Sequence, residues 1–321
     1  MNRGDTMEKS KVAIVGTGFV GMSYAYALLN QGAVEEIVLI DIDQRKAEGE
    51  AMDLNHGLAF APRKMSIKSG NYNDVKDAGL VVITAGVSQK EGENRIDLLN
   101  RNAVIIKSVV KQIMDTGFNG ILLVASNPVD ILTYVAWKES GLPASKVIGS
   151  GTSLDTARLR YEISQYIQID VRNVHAYILG EHGDSEFVCW SNAFVGGKNI
   201  KDVIESMPEQ IKFSDLDRIY HDVKNAAYDI ISRKKASYYG IGMALVRITS
   251  AIFNNENRII PISVYNDGIY DIEKDLYIGL PAVLNRDGVH HLVKLKFDQT
   301  ETENLENSAK ILKSVLNQLV F

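Results

Sequence analysis

The first half of the chain alternates between short apolar runs and helical stretches. The apolar runs are rich in Val, Ile and Leu, a composition typical of parallel strands that are buried on both faces. Helical patterns follow at 19–30, where Gly32 fits the C-terminal stop, and in a polar segment that ends near residue 56. This alternation predicts an α/β fold built on a doubly wound parallel sheet. The predicted strands are 11–15, 36–41, 80–84, 120–124 and 146–149.

The pattern changes after residue 150. It predicts a helix, a strand, two helices, three strand-like segments and a closing helix, an order typical of an α+β domain. We therefore expect a mobile tail at 1–10, an α/β domain at 11–150 and an α+β domain at 151–321, with the functional site between the two domains. The predicted elements of the second half are 153–166, 173–179, 215–232, 235–254, 259–265, 276–283, 289–297 and 301–319.

Composition and charge exclude several classes of function. The 321 residues are 45% hydrophobic, which suffices for a large core. The formal net charge is only −5 and the basic residues are scattered, so we expect binding to neither nucleic acid nor membranes. The first ten residues are polar and lack the apolar core of a secretory signal. A single cysteine, Cys189, fits a reducing compartment, and we expect a cytoplasmic protein.

A glycine-rich turn follows the first predicted strand. Gly16, Gly18 and Gly21 form a G-x-G-x-x-G pattern between a strand and a helix, the context in which this pattern binds a dinucleotide. The pyrophosphate would lie at the helix N-terminus, where free N–H groups favour an anion. Asp41 ends the second strand, where a carboxylate binds the adenosine ribose and repels a 2′-phosphate. Residues 11–150 are therefore predicted to be a Rossmann domain that binds NAD.

The second half carries candidate acid-base and anion-binding side chains. His182 follows the strand predicted at 173–179 and lies between Gly180 and Gly183, in a turn suited to close contact with a ligand. An imidazole exchanges a proton with an alcohol or ketone oxygen near neutral pH, and Asp155 would orient it. Arg158, three residues after Asp155 on one helix, would bind a substrate carboxylate in two-point fashion. This set suits hydride transfer between a 2-hydroxy acid and a nicotinamide.

The loop at 84–95 leaves the carboxyl end of a predicted strand, where ligands bind in such sheets. It is polar and contains Gly92, as a mobile lid would. Closure would expel water and bring Arg95 over the substrate ketone. No HExxH or paired CxxC segment is present, so no metal is expected.

Together these residues resemble the L-lactate dehydrogenase family nearly from end to end. The matching segments are GTGFVG, TAGVSQKEGENR, ASNPVDILTY, IGSGTSLDTARLR, LGEHGDSE, KKASYYGIG and IGLPAVLNRDG. The resemblance implies that His182 donates the proton with Asp155 as its partner, and that Arg158 binds the substrate carboxylate. It also implies that Arg95 polarises the ketone and that Asn127 contacts both substrate and nicotinamide. The positions that it assigns to NAD are Gly16, Gly18, Val20, Gly21, Asp41, Lys46, Tyr72, Gly86, Val87, Ser108, Ala125, Ser126, Asn127 and Ser150.

Gln89 bears on the choice of substrate. In the similar malate dehydrogenases this lid position carries an arginine that pairs with a second substrate carboxylate. Glutamine is neutral and leaves room for the methyl group of pyruvate. A dicarboxylate would be enclosed with one charge unpaired, at a cost of several kcal/mol. We therefore expect pyruvate and L-lactate as substrates, rather than oxaloacetate and malate.

A further resemblance is to bacterial lactate dehydrogenases that fructose 1,6-bisphosphate activates. It implies that Arg160 and His175 bind this effector across a subunit interface of a homotetramer. Some positions depart from the family pattern. Ser237 replaces the usual substrate-site Thr, which keeps the hydroxyl but loses a methyl group, and Lys235 replaces a glycine. Glu91 replaces a common proline in the lid, and Val188-Cys189 stands where Pro-Val is common.

Three other functions stay open at this point. The first is a malate or other 2-hydroxy-acid dehydrogenase, against which Gln89 argues. The second is an NAD-dependent glycosidase of related fold, which would need a divalent metal for which the sequence offers no recognisable ligand pair. The third is a nucleotide sensor without turnover, which would not need His182.

Overall fold

The computed structural model describes residues 10–87 and 95–319. Within these ranges, the first half of the chain forms strands and helices in alternation. The strands are β1 (Lys11–Val15), β2 (Glu36–Ile40), β3 (Ser66–Ser69), β4 (Leu80–Ile83), β5 (Ile121–Val124) and β6 (Val147–Gly149). The helices are α1 (Phe19–Gln31), α2 (Gln44–Gly57), α3 (Arg95–Met114) and α4 (Val129–Ser140).

These six strands form a parallel sheet in the order β6-β5-β4-β1-β2-β3. Every residue of β1, β4, β5 and β6 is buried, because helices cover both faces of the sheet. The predicted doubly wound α/β sheet is therefore confirmed. The edge strand β3 is absent from the predicted elements because Ile67 is its only apolar residue.

The second half adds short strands, four longer helices and a three-stranded extension of the sheet, as far as the structure describes it. The strands are β7 (Val174–His175), β8 (Ile178–Leu179), β9 (Phe187–Val188), β10 (Phe194–Val195), β11 (Lys198–Asn199), β12 (Arg258–Asn266), β13 (Leu276–Asn285) and β14 (Gly288–Leu292). The helices are α5 (Ser153–Ile167), α6 (Ile200–Ser206), α7 (Phe213–Lys234), α8 (Tyr239–Phe253) and α9 (Gln299–Leu316).

The parallel sheet does not end where the second half begins. Strand β12 pairs antiparallel with β6 through Ser263 and Gly149, and β13 and β14 extend the sheet further. Glycine is required at this junction. A side chain at Gly151, whose φ is +50°, would place its Cβ 2.2 Å from the Ser263 nitrogen. The boundary expected after residue 150 thus falls inside one continuous sheet.

Three predicted elements of the second half need correction. The strand predicted at 173–179 is split into β7 and β8, because β7 pairs with β10 whereas β8 pairs with β9. The helix predicted at 235–254 begins only at Tyr239, since Lys235 ends α7 in a left-handed conformation with φ of 71°. The strand predicted at 289–297 ends at Leu292.

Two apolar clusters hold the fold together. The larger surrounds the sheet, and within it the Tyr24 hydroxyl on α1 lies 2.6 Å from the Thr249 hydroxyl on α8. The smaller lies among α5, α6, α7 and the short strands, with Leu159, Ile178 and Ile219 fully buried. Among the described helices, none combines the length and apolar character that crossing a membrane requires.

Candidate active site

The glycine-rich turn connects β1 to α1 at the carboxyl edge of the sheet. Gly16 has φ of +106° and donates its N–H to the Ile40 carbonyl at 2.8 Å. A Cβ on Gly21 would lie 2.1 Å from the Gly16 oxygen, so a side chain there would displace the turn. A Cβ on Gly18, in contrast, would meet nothing within 4 Å. The turn therefore leaves open space beside Gly18, where a ligand can approach the backbone.

This turn fits a dinucleotide. Gly18 precedes α1 without a side-chain cap, so the first-turn N–H groups and the helix dipole are available to a pyrophosphate. Asp41 follows β2 and accepts hydrogen bonds from the backbone and hydroxyl of Thr17 at 2.7 and 2.8 Å. Burial alone would raise the pKa of Asp41, but the bonds from Thr17 and Asp43 and the charge of Lys46 hold the pKa below its usual value. The carboxylate is therefore ionised and oriented, as a ribose diol requires.

Most other positions assigned to NAD lie at the ends of neighbouring strands. Tyr72 faces Asp41 closely enough that burial and the aspartate charge raise the pKa of its phenol. Gly86 and Val87 follow β4, Ala125 to Asn127 follow β5, and Ser150 follows β6. Ser108 is different, because it lies on the exposed side of α3 with its hydroxyl 3.4 Å from Gln112.

Asn102 is a buried residue of this region that sequence reasoning did not select. Its side chain accepts the Val87 N–H at 2.9 Å and donates to the Asn127 carbonyl at 3.2 Å. It therefore joins the segment after β4 to the segment after β5. In the sequence nothing marks it as unusual, because it directly follows two other polar residues, Asn100 and Arg101.

The predicted acid-base and carboxylate-binding residues form one hydrogen-bonded cluster. The Nδ1 atom of His182 lies 2.6 Å from Oδ2 of Asp155, and Arg158 donates from Nη1 to Oδ1 of the same carboxylate at 2.9 Å. Asp155 is buried, whereas the His182 side chain keeps 26% of its surface exposed and Arg158 keeps 15%. The ring nitrogen Nε2 is thus the one left for a substrate.

The charges in this cluster support each other. The Asp155 charge raises the pKa of His182 to about 9, against the opposing effect of burial. Burial would raise the pKa of Asp155, but His182 and Arg158 lower the pKa below its usual value. The imidazole is therefore protonated at neutral pH, with an ionised partner. Such a pair can give a proton to a developing alkoxide.

Glu186 is a buried carboxyl group that was not predicted. One of its oxygens, one of Asp155 and a ring nitrogen of His182 all lie within 4.8 Å of one another. Burial and the Asp155 charge raise the pKa of Glu186 to about 8. Although no metal was expected, these three side chains are of metal-ligating types. Asp155 and His182, however, are already engaged in the hydrogen bond between them.

The turn that carries His182 is held by contacts from distant elements. Asp130 on α4 accepts the His182 N–H at 2.8 Å, and Ser308 on α9 accepts the Glu181 N–H at 2.6 Å. Gly180 and Gly279 on β13 exchange two backbone hydrogen bonds, with nitrogen-to-oxygen distances of 3.0 and 2.9 Å. Asp130 was not predicted either, because an acid at the start of a helix is common for dipole reasons alone.

The predicted substrate residues outside this cluster differ in how far the structure describes them. Gln89 lies outside the described residues, as does Glu91. Arg95 is the first residue of α3, but its side chain is outside the description. Ser237 is half-buried in the connection between α7 and α8, two residues after Lys235.

The two predicted effector residues lie on adjoining elements. Arg160 on α5 donates from Nε to the Ala176 carbonyl at 3.0 Å, and its guanidinium lies 5.5 Å from the centre of the Tyr177 ring. His175 is exposed on β7, directly before Ala176. The two side chains therefore belong to segments that a hydrogen bond joins.

A dinucleotide loop and a histidine–aspartate–arginine cluster in one chain define a class of protein, the NAD-dependent oxidoreductases. Comparison with known proteins specifies the family. The profile of the lactate/malate dehydrogenase NAD-binding domain matches residues 10–149, and that of the lactate/malate dehydrogenase alpha/beta C-terminal domain matches residues 152–320. The chain therefore belongs to the lactate/malate dehydrogenase family.

Individual relatives are similar over almost the whole chain. L-lactate dehydrogenase 2 of Bacillus cereus is 54% identical over 307 residues, which are 96% of this chain and 97% of that protein. The crystal structure of a lactate dehydrogenase from a Medee basin deep-sea metagenome library has a TM-score of 0.96 and 76% identity, covering 97% of this chain and 99% of that one. The minor L-lactate dehydrogenase of Enterococcus mundtii in its ligands-bound form has a TM-score of 0.95 and 50% identity, covering 98% and 99%.

Proposed function

We propose that this enzyme is an L-lactate dehydrogenase that interconverts pyruvate and L-lactate with NADH and NAD+. The observation that carries the proposal is the Asp155 carboxylate, which binds His182 through one oxygen and Arg158 through the other. This arrangement fixes a proton donor relative to a carboxylate-binding group, which a 2-keto acid needs. The names of the similar proteins support lactate rather than malate as the 2-hydroxy acid substrate.

Each residue has a distinct part in the proposed reaction. Arg158 binds the carboxylate of pyruvate after the cofactor has bound, and Asn127 and Ser237 contribute polar contacts. NADH, when bound along the Gly18 turn, supplies the hydride to the carbonyl carbon. His182 gives its proton to the carbonyl oxygen, and Arg95 polarises that oxygen from the lid. Asp155 keeps the imidazole oriented and stabilises its charge. Lactate oxidation is the reverse.

We also propose that residues 11–150 hold NAD and that 151–321 supply the acid-base and carboxylate-binding side chains. The glycine turn and Asp41 belong to the first range, and Asp155, Arg158 and His182 to the second. Asn127 and Arg95 contact the substrate from the first range, so the proposed reaction needs side chains of both ranges. The single cysteine, Cys189, is buried, and this agrees with a reducing cytoplasm as the place of action.

The choice between pyruvate and oxaloacetate is tested by the rate of NADH oxidation with each keto acid. We expect rapid turnover of pyruvate and little of oxaloacetate, because Gln89 provides no charge for a second carboxylate. The variant Gln89→Arg should raise kcat/KM for oxaloacetate relative to pyruvate by at least about tenfold, since it adds a charged partner. An unmodified enzyme that prefers oxaloacetate would contradict the assignment of pyruvate.

We further propose a homotetramer that fructose 1,6-bisphosphate activates through Arg160 and His175. Burial lowers the pKa of Arg160, Tyr177 raises it and the Arg258 charge lowers it, so a bound anion would stabilise the partly desolvated guanidinium charge. His175 is exposed on the adjoining strand. Two copies of this patch across an interface would present enough cations for a bisphosphate.

Activation is tested by the KM for pyruvate with and without fructose 1,6-bisphosphate. We expect the effector to lower the apparent KM about fivefold or more, a normal size for allosteric coupling. The variants Arg160→Gln and His175→Gln should reduce this ratio, whereas Arg172→Gln should not, because Arg172 is exposed and paired with Asp170. Sedimentation with and without the effector would report the subunit number. No response to the bisphosphate would remove this part of the proposal and leave the enzyme reaction standing.

The pH dependence of the two directions should be opposite. Pyruvate reduction needs His182 protonated, and the Asp155 charge raises the pKa of His182 to about 9. Accordingly, kcat/KM for pyruvate should be highest below this pH and fall as pH rises through it. Lactate oxidation needs the neutral imidazole and should rise over the same interval. Profiles measured at saturating cofactor would check this, and parallel profiles in both directions would exclude His182 as the proton donor.

A further inference from the structure

Asp130 is a buried carboxylate that the proposed reaction does not use. It lies in the first turn of α4, three residues after Asn127, and is only 2% exposed. Its Oδ2 atom accepts the His182 backbone N–H at 2.8 Å, and its Oδ1 atom accepts the Ser263 hydroxyl at 2.5 Å. Three elements therefore meet at this carboxylate: α4, the turn after β8, and strand β12.

The local charges show that the contact is electrostatic as well as structural. Burial raises the pKa of Asp130 to about 6, against the lowering effects of the Ser263 and His182 bonds. The His182 charge also lowers the pKa of Asp130, whereas Glu181 on the same turn raises it. At neutral pH the carboxyl group is therefore mainly ionised. Conversely, the Asp130 charge is one of the influences that raise the pKa of His182, after Asp155 and Glu186.

We propose that Asp130 is a positioning residue for the acid-base histidine, holding the His182 main chain while Asp155 holds its ring. The inference rests on the proposed function, in which His182 donates the proton. It gives His182 two carboxylate anchors on two different helices, α4 and α5. The start of α4 would then position both residues, because Asn127 lies two residues before this helix and Asp130 in its first turn binds the His182 main chain.

A main-chain anchor matters here because the turn has little rigidity of its own. Gly180 has φ of +92° and Gly183 follows His182 directly, so the backbone on either side is conformationally free without external contacts. A displacement of a catalytic group by about 1 Å can cost on the order of 100-fold in rate. Loss of the Asp130 contact should therefore act on proton transfer more than on pyruvate binding, for which Arg158 is held separately.

The variant Asp130→Asn tests the proposal, because asparagine has the same size but no charge. The amide oxygen still accepts the His182 N–H but without the charge the bond is weaker, so we expect kcat for pyruvate reduction to fall about 10-fold with a smaller change in KM. The alkaline limb of kcat/KM should also move to lower pH, since one negative charge near the imidazole is lost while Asp155 and Glu186 remain. A purely structural role would lower the melting temperature without moving that limb.

Glu301→Gln is the matched control. Glu301 is also a buried carboxylate that accepts a backbone N–H and a hydroxyl, both from Ser191, at 2.8 and 2.5 Å. It lies on α9 and makes no described hydrogen bond to His182. We expect this variant to lose thermal stability without a shift of the alkaline limb.

Ser263→Ala provides a second test if Asp130→Asn does not fold. It removes the bond to Oδ1 but keeps the bond to His182. Because the proposal requires ionised Asp130, kcat should fall as pH decreases through the Asp130 pKa of about 6, and this acid limb should move to higher pH in the variant, which loses a bond that lowers that pKa. The proposal would be overturned if the acid limb did not move in Ser263→Ala. It would also be overturned if Asp130→Asn gave the same pH profile as Glu301→Gln, with kcat within about twofold of wild type. Failure of the wild-type enzyme to turn over pyruvate would instead contradict the proposed function, before any variant is compared.

Discussion

Replacing His182 with asparagine is expected to lower kcat/KM for pyruvate by at least about a thousandfold while NADH binding stays close to normal. Asparagine has no ionisable proton, so the developing alkoxide would lose its acid, a contribution of about 10²- to 10⁴-fold in enzymes. The substitution also leaves the buried Asp155 carboxylate without the cation that lies 2.6 Å away. Rates come from NADH absorbance, and binding from NADH fluorescence titration.

His221→Asn is the control for this substitution. His221 on α7 also lies beside an aspartate, with Nδ1 3.4 Å from Asp222, but its side chain is 74% exposed and belongs to no cluster described above. We expect the His221→Asn enzyme to be as active as the wild type. Normal NADH binding with lost turnover in His182→Asn would exclude a nucleotide sensor. Retention of more than about a tenth of wild-type activity would contradict the assignment of the proton donor.

Replacing Arg158 with lysine is expected to raise the KM for pyruvate about 10- to 100-fold with the positive charge retained. A guanidinium binds a carboxylate through two parallel N–H groups, whereas an ammonium acts as a point charge. Losing one charge-assisted hydrogen bond costs about 1.5–3 kcal/mol, which corresponds to this range. The bond to Asp155 at 2.9 Å would also change, so a smaller decrease in kcat should accompany the effect.

Arg172→Lys is the matched control, because Arg172 also binds a carboxylate, that of Asp170, through Nε and Nη2 at 2.9 and 2.8 Å. This pair is exposed, with 86% of the Arg172 side chain accessible, and exposed pairs contribute little. We expect kinetic constants equal to wild type. An Arg158→Lys enzyme with an unchanged KM for pyruvate would show that another group binds the substrate carboxylate.

The sequence predicted those strands whose burial leaves a continuous apolar run. Strands β1, β4 and β5 were identified within one residue at each end, because every side chain in them is buried. Short strands gave no such signal. Strands β7 and β8 are two residues each, and their separation follows from pairing with different partners, β10 and β9. Pairing partners depend on distant residues, which a local pattern does not contain.

Local chemistry also limited which site residues could be predicted. His182 lies between glycines, and Asp41 follows a strand, so each had a local signal. Asp130, Glu186 and Asn102 had none, because an acid in a first helical turn, an acid in a polar turn or an amide in a helix is common without a functional role. Their importance comes from burial and from partners 15 to 133 residues away.

By itself, then, the sequence determined the α/β class, the glycine turn that suits NAD, and the chemical types of the acid-base and carboxylate-binding groups. Only the tertiary structure decided that one carboxylate, Asp155, binds both His182 and Arg158, although His182 is 27 residues away. The reason is that distant contacts set the position of the histidine turn. Thr156 on α5 accepts the Ile178 N–H at 2.9 Å, and the bridge from Gly180 to Gly279 aligns the turn with β13. Such contacts come from packing of the whole chain, and no local run of residues encodes them.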